Sequence, residues 1–264
     1  LTHAVRASDL TVLQITDVHL RAEIGERLLG IDTWDSVNAV LDQALTEARP
    51  DALLVTGDIA HDPVPEVYQR FETLIRSRYD GPVLMLPGNH DVLAAMGERA
   101  ATKSLDLGAW VVLALDSHID DAPQASVDED EFALLKTGCM QSRDKHTLVA
   151  THHPPIDVDC PWLDKDRIQN GNELLEWMSE HGTVRAMVFG HAHQVVESSH
   201  RRIKLLGTPS TCMQFAPHTD RFALDDQPPG YRWLNLERDG GVSSTVRRVA
   251  DYPMTIDLSQ FRKE

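Results

Sequence analysis

At 264 residues, with 42% apolar and 25% charged side chains, the chain is long enough to bury a large core and is expected to form one globular domain over residues 1–264. Acidic residues outnumber basic ones 41 to 25, and the formal charge of −16 excludes a protein built to grip a long polyanion, so no nucleic-acid partner is expected. No apolar run approaches the ~20 residues of a bilayer span, which argues against a membrane partner.

The opening LTHAVRASDL lacks the build of a secretory signal, and Cys139, Cys160 and Cys212 form no C-x-x-C pair. These features point to a reducing, cytoplasmic setting and a monomer or homodimer. Along the chain, strand-like apolar runs alternate with helical periodicity, the pattern of a layered α/β fold. TVLQIT runs into Asp17-Val18-His19. A helix follows, with Val37, Val40, Leu41, Ala44 and Ala48 at helical spacing, Asp32 or Thr33 to cap it and Pro50 to end it. ALLVTG runs into Asp58. A second helix carries Val64, Val67, Tyr68, Phe71, Leu74 and Ile75 and closes at Asp80-Gly81. VLMLPG runs into Asn89-His90-Asp91, and WVVLALD into Asp116, which has no partner donor and reads as structural. TLVAT ends in His152-His153; NELLEWMSEHG is a third helix closed by Gly182; AMVFG ends in His191-Ala192-His193. IKLLG leads to residues 211–215, FAPHTDRFALDDQPPG is a long surface or lid loop, and the tail reads as a hairpin turning at Asp239-Gly240-Gly241. That loop and hairpin, about residues 215–250, are expected to belong to the same domain.

Five of these runs thus end in carboxylate, amide or imidazole side chains. Taken singly, D-x-H is a chance pattern, G-D and G-N are turn formers, and HHPP is an ordinary loop start. Five in order have a better explanation: in α/β sheets, residues past the carboxyl ends of parallel strands meet in one crevice. Alternation along an extended backbone predicts that Asp17 with His19, and His191 with His193, each point the same way. Such donors without thiolate suit Mn²⁺, Fe or Zn²⁺, and there are too many for one ion. Two ions are expected, with Asp58 as the natural bridge. His3, His61, His118, His146, His181, His200 and His218 read as solvated or structural, although His61 stands close behind Asp58.

The series D-x-H, G-D, G-N-H-D, H-H-P and G-H-x-H resembles the calcineurin-like metallophosphoesterases over residues 17–193. LQITDVHL, LLGIDTWDSV, LPGNHD, THHPP with CPWLD, GHAHQ, TPSTCMQFAPH and PPGYRWLNL narrow the resemblance to the bacterial class III 3′,5′-cyclic-AMP phosphodiesterases. The resemblance implies a four-layer α/β sandwich of two mixed sheets flanked by helices. It implies that Asp17, His19 and His193 hold one metal, that Asn89, His152 and His191 hold the other, and that Asp58 bridges them; the ions are divalent or mixed-valence, Fe or Mn first and Zn as an alternative. His152 rather than His153 follows from the H-x-P pattern. GDIAHDP lacks the arginine of the protein phosphatases, and His61 stands where purple acid phosphatases carry tyrosine.

The implied reaction opens cyclic AMP to 5′-AMP. Two ions about 3.5–4 Å apart turn a shared water into hydroxide near neutral pH and hold the phosphate in line with it. His19, Asp58, Asn89, His90 and His193 are expected to face the phosphate. His90 donates to a phosphoryl oxygen or protonates the leaving oxygen, and Asp91 fixes the His90 tautomer or caps the turn. No short motif encodes adenine recognition, so the rim is expected to select the base, through residues 20–29 and through residues 211–215 with the Pro-rich connection behind them, Gln214 or Phe215 touching the base. Two other readings are a broader phosphodiesterase acting on glycerophosphodiesters or 2′,3′-cyclic nucleotides, and a nucleotide-binding regulator without turnover; the complete donor set disfavours the second.

Overall fold

The computed structural model describes residues 9–119 and 124–260; His3 lies outside them. The strands, in chain order, begin with β1 (Leu10–Ile15), β2 (Arg27–Leu28), β3 (Ile31–Asp32), β4 (Ala52–Thr56) and β5 (Val83–Leu86). They continue with β6 (Ser104–Asp106), β7 (Trp110–Ala114), β8 (His146–Ala150), β9 (Val184–Phe189), β10 (Val196–His200) and β11 (Ile203–Gly207). Last come β12 (Gln214–Phe215), β13 (Leu224–Asp225), β14 (Gly230–Leu236) and β15 (Val242–Arg248). The helices are α1 (Thr33–Glu47), α2 (Pro65–Arg76), α3 (Leu93–Met96), α4 (Glu129–Gln141) and α5 (Gly171–Glu180).

The helix signals in the sequence have physical counterparts. The Asp32 carboxylate caps α1 by accepting from the amides of Trp34 and Asp35, which settles the choice between Asp32 and Thr33. Pro65 opens α2, where its missing N–H costs nothing. That helix stops at Arg76, before the expected Asp80-Gly81, because Arg78 and Tyr79 both donate back to the Ile75 carbonyl. Gly182, at φ 69, closes α5. Helix α4 was not expected from the sequence: its buried stripe is only Phe132, Leu135 and Cys139, although Asp128 caps it by accepting from Glu131.

Two mixed sheets carry the molecule. The first has the order β15-β14-β1-β4-β5, with β1, β4 and β5 parallel and the C-terminal hairpin added antiparallel along β1. The second has the order β10-β11-β9-β8-β7-β6, with a parallel centre from β11 to β7. Period-2 alternation splits each parallel strand between two cores. Val12, Leu54 and Leu84 of the first sheet meet Val112, Leu148 and Val188 of the second. The opposite face of the first sheet packs on α1 and α2 through Leu41 and Phe71, and that of the second on α4 and α5 through Leu135 and Leu174. The result is a four-layer α/β/β/α sandwich. The long connection after β11 is more ordered than a plain loop, since β12 and β13 pair within it.

Parallel strands buried on both faces bring their carboxyl ends to the seam between the sheets. A buried arginine pins that seam. Arg232 of β14 is 0% exposed; its guanidinium donates to the Thr208 hydroxyl at 3.2 Å, the Gly207 carbonyl at 2.8 Å, the Ser244 hydroxyl at 2.6 Å and the exposed Glu197 carboxylate at 3.1 Å. Arg232→Ala strands buried acceptors at about 1–3 kcal/mol each, whereas Glu197→Ala removes an exposed partner at roughly 0–1 kcal/mol. Urea unfolding of the two variants should show a lowered midpoint for the first and an almost unchanged one for the second.

Candidate metal centre

The donors stand just past the strand ends: Asp17 and His19 after β1, Asp58 after β4, Asn89 after β5, His152 after β8, and His191 and His193 after β9. The expectation that extended alternation aims the pairs is corrected by the backbone. Asp17, His19, Asp58, His191 and His193 all have positive φ, between 50 and 62°, in the left-handed region that non-glycine residues rarely adopt. Each pair is aimed by a turn fixed from the neighbouring strand. The Asp17 and His19 amides donate to the Gly57 and Asp58 carbonyls at 3.0 and 2.9 Å, and the His191 amide donates to both Asp17 carboxylate oxygens at 3.1 Å. Gly57 and Gly190 are needed here for space. A Cβ on Gly57 would strike the His152 ring, and one on Gly190 would strike Thr16 and Asp17.

The side chains converge in two overlapping groups. In one, His193 Nε2 lies 3.2 Å from Asp17 Oδ1 and 3.1 Å from His19 Nε2, which is itself 3.6 Å from Asp58 Oδ2. In the other, Asn89 Oδ1 lies 3.2 Å from His152 Nε2 and 3.0 Å from His191 Nδ1. Asp58 joins them, since the Oδ2 that faces His19 is also 3.4 Å from His152 Nε2. The outer contacts fix two ring orientations: His152 Nδ1 donates to the Thr56 carbonyl and His193 Nδ1 to the Met213 carbonyl, both at 2.8 Å, which turns each Nε2 toward the cluster. His153 turns its Nδ1 to the Ser117 hydroxyl at 3.0 Å.

Burial and charge set the protonation states. Burial works to raise both carboxyls, yet the charge of His193 holds Asp17 below the ordinary carboxylate range, and His152 with His90 holds Asp58 well below it. For His152, burial works downward, but Asp58 overrides it and pushes the ring up to about 9. Burial and the neighbouring His152 drop His191 to about 3, and burial keeps His19 neutral. Two carboxylates held low, four imidazoles and an amide oxygen, with no thiol among them, form a donor set that fits borderline-hard divalent ions. His19 Nδ1 and His191 Nε2 are buried and bonded to nothing among the described residues.

Above the cluster lies a cavity of about 430 Å³. One wall is the imidazoles of His19, His61, His90 and His193, with Arg21 at the edge; the other is apolar, from Leu28, Leu29, Met213, Phe215 and Phe222. Residues 28–31 and 212–224 pack on one another to build that apolar wall. Phe215 stacks on the His193 ring at 4.1 Å and 15°, and Phe222 meets Phe215 edge-on at 5.5 Å.

Of the two roles expected for Asp91 the catalytic one is corrected and the turn cap is what the geometry shows: its carboxylate does not meet the His90 ring but is buried and accepts from the amides of Ile59, Ala60 and Gly88 and from the Tyr68 hydroxyl. Burial and the charge of Asp58 raise it to about 6. The base contact expected of Gln214 is corrected as well: it is 1% exposed and donates to the Ser210 and Cys212 carbonyls, outside the cavity wall. His90 is exposed; its backbone amide donates to Asp58 Oδ1 at 2.9 Å and its ring meets those of His19 and His61 at 4.9 and 5.4 Å. Arg21 and Phe222 come from the two segments expected at the rim, residues 20–29 and the Pro-rich connection, although neither residue was singled out. The cavity position of His61 was not expected, and its only signal was that it follows Asp58 by three residues.

The calcineurin-like phosphoesterase profile matches residues 10–195. The chain is 37% identical over 248 residues to the 3′,5′-cyclic adenosine monophosphate phosphodiesterase CpdA of Escherichia coli K12, covering 91% of this chain and 90% of that one. To the protein of the same name from Pseudomonas aeruginosa it is 35% identical over 259 residues, covering 95% of each. Among solved structures, a dimetal phosphatase from Danio rerio superposes with a TM-score of 0.61 at 12% identity, over 92% of this chain and all of that one. A purple acid phosphatase from yellow lupin gives 0.65 at 13%, over 95% of this chain and 53% of that one. These two share the fold. With the profile spanning most of the chain and relatives matched along nine-tenths or more of both sequences, the chain belongs to the calcineurin-like phosphoesterase family.

Proposed function

We propose that the chain is a binuclear-metal phosphodiesterase that hydrolyses 3′,5′-cyclic AMP to 5′-AMP. The observation that carries this reading is the convergence of seven oxygen and nitrogen donors, two of which, His19 and His193, line a cavity with one imidazole wall and one apolar wall. Relatives at 35–37% identity that carry the cyclic AMP phosphodiesterase name support the substrate. In this reading Asp17, His19 and His193 hold one ion, Asn89, His152 and His191 hold the other, and Asp58 serves both, within one domain over residues 1–264 that includes the C-terminal loop and hairpin. Fe or Mn suits the set, with Zn as the alternative, and the setting is cytoplasmic.

When bound, the ions activate a water as nucleophile and neutralise the phosphoryl charge. The protein's own groups do the rest. Asp58 is held ionised and ready to ligate, its Oδ1 anchored by the His90 amide. That bond also fixes the loop bearing His90, whose ring faces the cavity and is placed to donate to a phosphoryl oxygen or to the departing 3′ oxygen. Phe215 and Phe222 offer faces and edges to a nucleobase, and Leu28, Leu29 and Met213 exclude water beside them. Metal contacts reward any phosphodiester equally, so discrimination falls to this apolar wall.

Chelation should silence the protein, and Mn²⁺ or Fe²⁺ should restore it. Asp58→Asn should lose most activity together with metal measured by elemental analysis; full occupancy with near-normal turnover would sink the two-metal reading.

Metal uptake should also depend on pH in a defined direction. His152 holds its proton up to about 9, and a ligand must give it up. Affinity at that site should therefore rise by about tenfold per pH unit below pH 9 and flatten above it. Calorimetry in buffers of different ionisation enthalpy would read the released proton, and uptake independent of pH between 6 and 9 contradicts the assignment.

Base selection is better tested at Phe222 than at Phe215, because Phe215 lies on the His193 ring. A stacked base is worth about 1–3 kcal/mol. Phe222→Ala should cut kcat/KM for cyclic AMP by about tenfold or more and leave bis(p-nitrophenyl) phosphate nearly unchanged. Equal losses on both substrates would assign Phe222 to the fold. A wild type far faster on 2′,3′-cyclic AMP or glycerophosphocholine than on 3′,5′-cyclic AMP would leave only the broader phosphodiesterase.

A further inference from the structure

His61 sits three residues past Asp58 in a position its sequence context does not explain. Its ring lies 5.4 Å from that of His90 with the planes only 26° apart, and 6.0 Å from that of His19. One nitrogen from each of His19, His61 and His90 lies within 4.8 Å of the other two, and all three rings line the cavity over the metal centre. His61 Nδ1 is sealed from solvent with no partner among the described residues, which leaves Nε2 as the ring's bonding atom. Arg21, the cation beside it, is tied to Asp62 at 2.8 Å and to Glu26 at 3.6 Å. Apart from Arg21, the polar groups on this wall that can meet an anion are imidazoles.

A hydrogen bond reaches about 2.7–3.2 Å between heavy atoms, so donors less than ~5 Å apart can hold the same phosphoryl oxygen or two on one phosphorus. We propose that His61 is a second substrate-contacting imidazole, which grips the phosphoryl group alongside His90. The proposal rests on the phosphodiesterase reading above, and it deepens that reading. His61 adds a donor on the cavity wall beside His19, outside the set of seven donors. Its contact is to phosphate, common to all diesters, and so it raises turnover of cyclic and aryl diesters alike.

The test uses the metal-loaded full chain. His61→Phe keeps a ring against His90 and deletes the nitrogens, while His61→Gln restores an N–H without the ring. The expected result for His61→Phe is a loss of about 10- to 100-fold in kcat/KM on bis(p-nitrophenyl) phosphate, the worth of one hydrogen bond to a charged group. Calorimetry with inorganic phosphate should show a weakening of similar size, metal content per chain should stay at the wild-type value, and His61→Gln should recover part of the loss. If His61→Phe does not fold, His61→Ala carries the same expectation at this half-buried site. Wild-type behaviour of the Phe variant would show that the ring only packs and would overturn the proposal. Equal losses in the Phe and Gln variants, or a fall in metal content that marks a third ion on His19, His61 and His90, would overturn it too. In those outcomes the wild type still hydrolyses diesters; a wild type inert toward every diester and blind to phosphate defeats the underlying reading instead.

Discussion

The centre depends on backbone held in an unfavourable shape. Left-handed geometry at a non-glycine residue costs on the order of 1–3 kcal/mol, and Asp17, His19, Asp58, His191 and His193 all adopt it. Aspartate and histidine are among the residues that tolerate it best, but tolerance does not select it. Selection comes from hydrogen bonds across strands that the chain reaches only after folding. Asp17 and His19 are latched to the β4 turn, and Thr211 and Ser210 reach back to the Thr16 and Asp17 carbonyls. The His191 amide binds the Asp17 carboxylate, so a residue from the second sheet is positioned by one from the first. Strain at the donors is thus sustained by the docking of two sheets.

The same docking governs the charges. Two carboxylates, Asp17 and Asp58, share the seam, and repulsion between them works against ionising both. His152 resolves the conflict as the ring that carries a proton between them, 3.4 Å from one and 4.0 Å from the other. A divalent charge in place of that proton would leave the carboxylates ionised and free the imidazole lone pair of His152. Asp91 lies outside this exchange. Its four donors hold the turns after β4 and β5 together, which keeps Asp58 and Asn89 at a fixed separation without either touching Asp91.

What the sequence made legible follows from the range of each signal. Apolar runs and caps are local, so the donor-bearing strands, three helices and the C-terminal hairpin could be read directly, as could the grouping of Asp17, His19, Asp58, Asn89, His152, His191 and His193. The aim of each side chain was not local. Positive φ at Asp17 or His193 is dictated by partners tens or hundreds of residues away, so alternation suggested the right pairing for the wrong reason. Asp91 and Gln214 show the same limit, since their fates rest on Tyr68, Ile59 and Ser210. His61 escaped because it has no motif, and Phe222 was covered only as part of the expected rim connection. Only the closure of the cavity wall brings them beside His90 and Phe215.

The C-terminal third links the sheets to the substrate wall. Arg232, in the hairpin strand next to β1, bonds the backbone of Gly207 and the hydroxyl of Thr208 at the end of β11. Thr208 in turn donates to the buried Gln14 amide of β1, which bonds Phe189 of β9 and Thr56 of β4. Two and three residues later Ser210 and Thr211 brace the Asp17 turn, and the chain then supplies Met213 and Phe215 to the cavity. The segment that sets the donors' backbone is therefore continuous with the segment that forms the apolar wall. A substitution in the hairpin can reach the cavity through two side chains, and changes in base selectivity need not begin at a residue that touches the base.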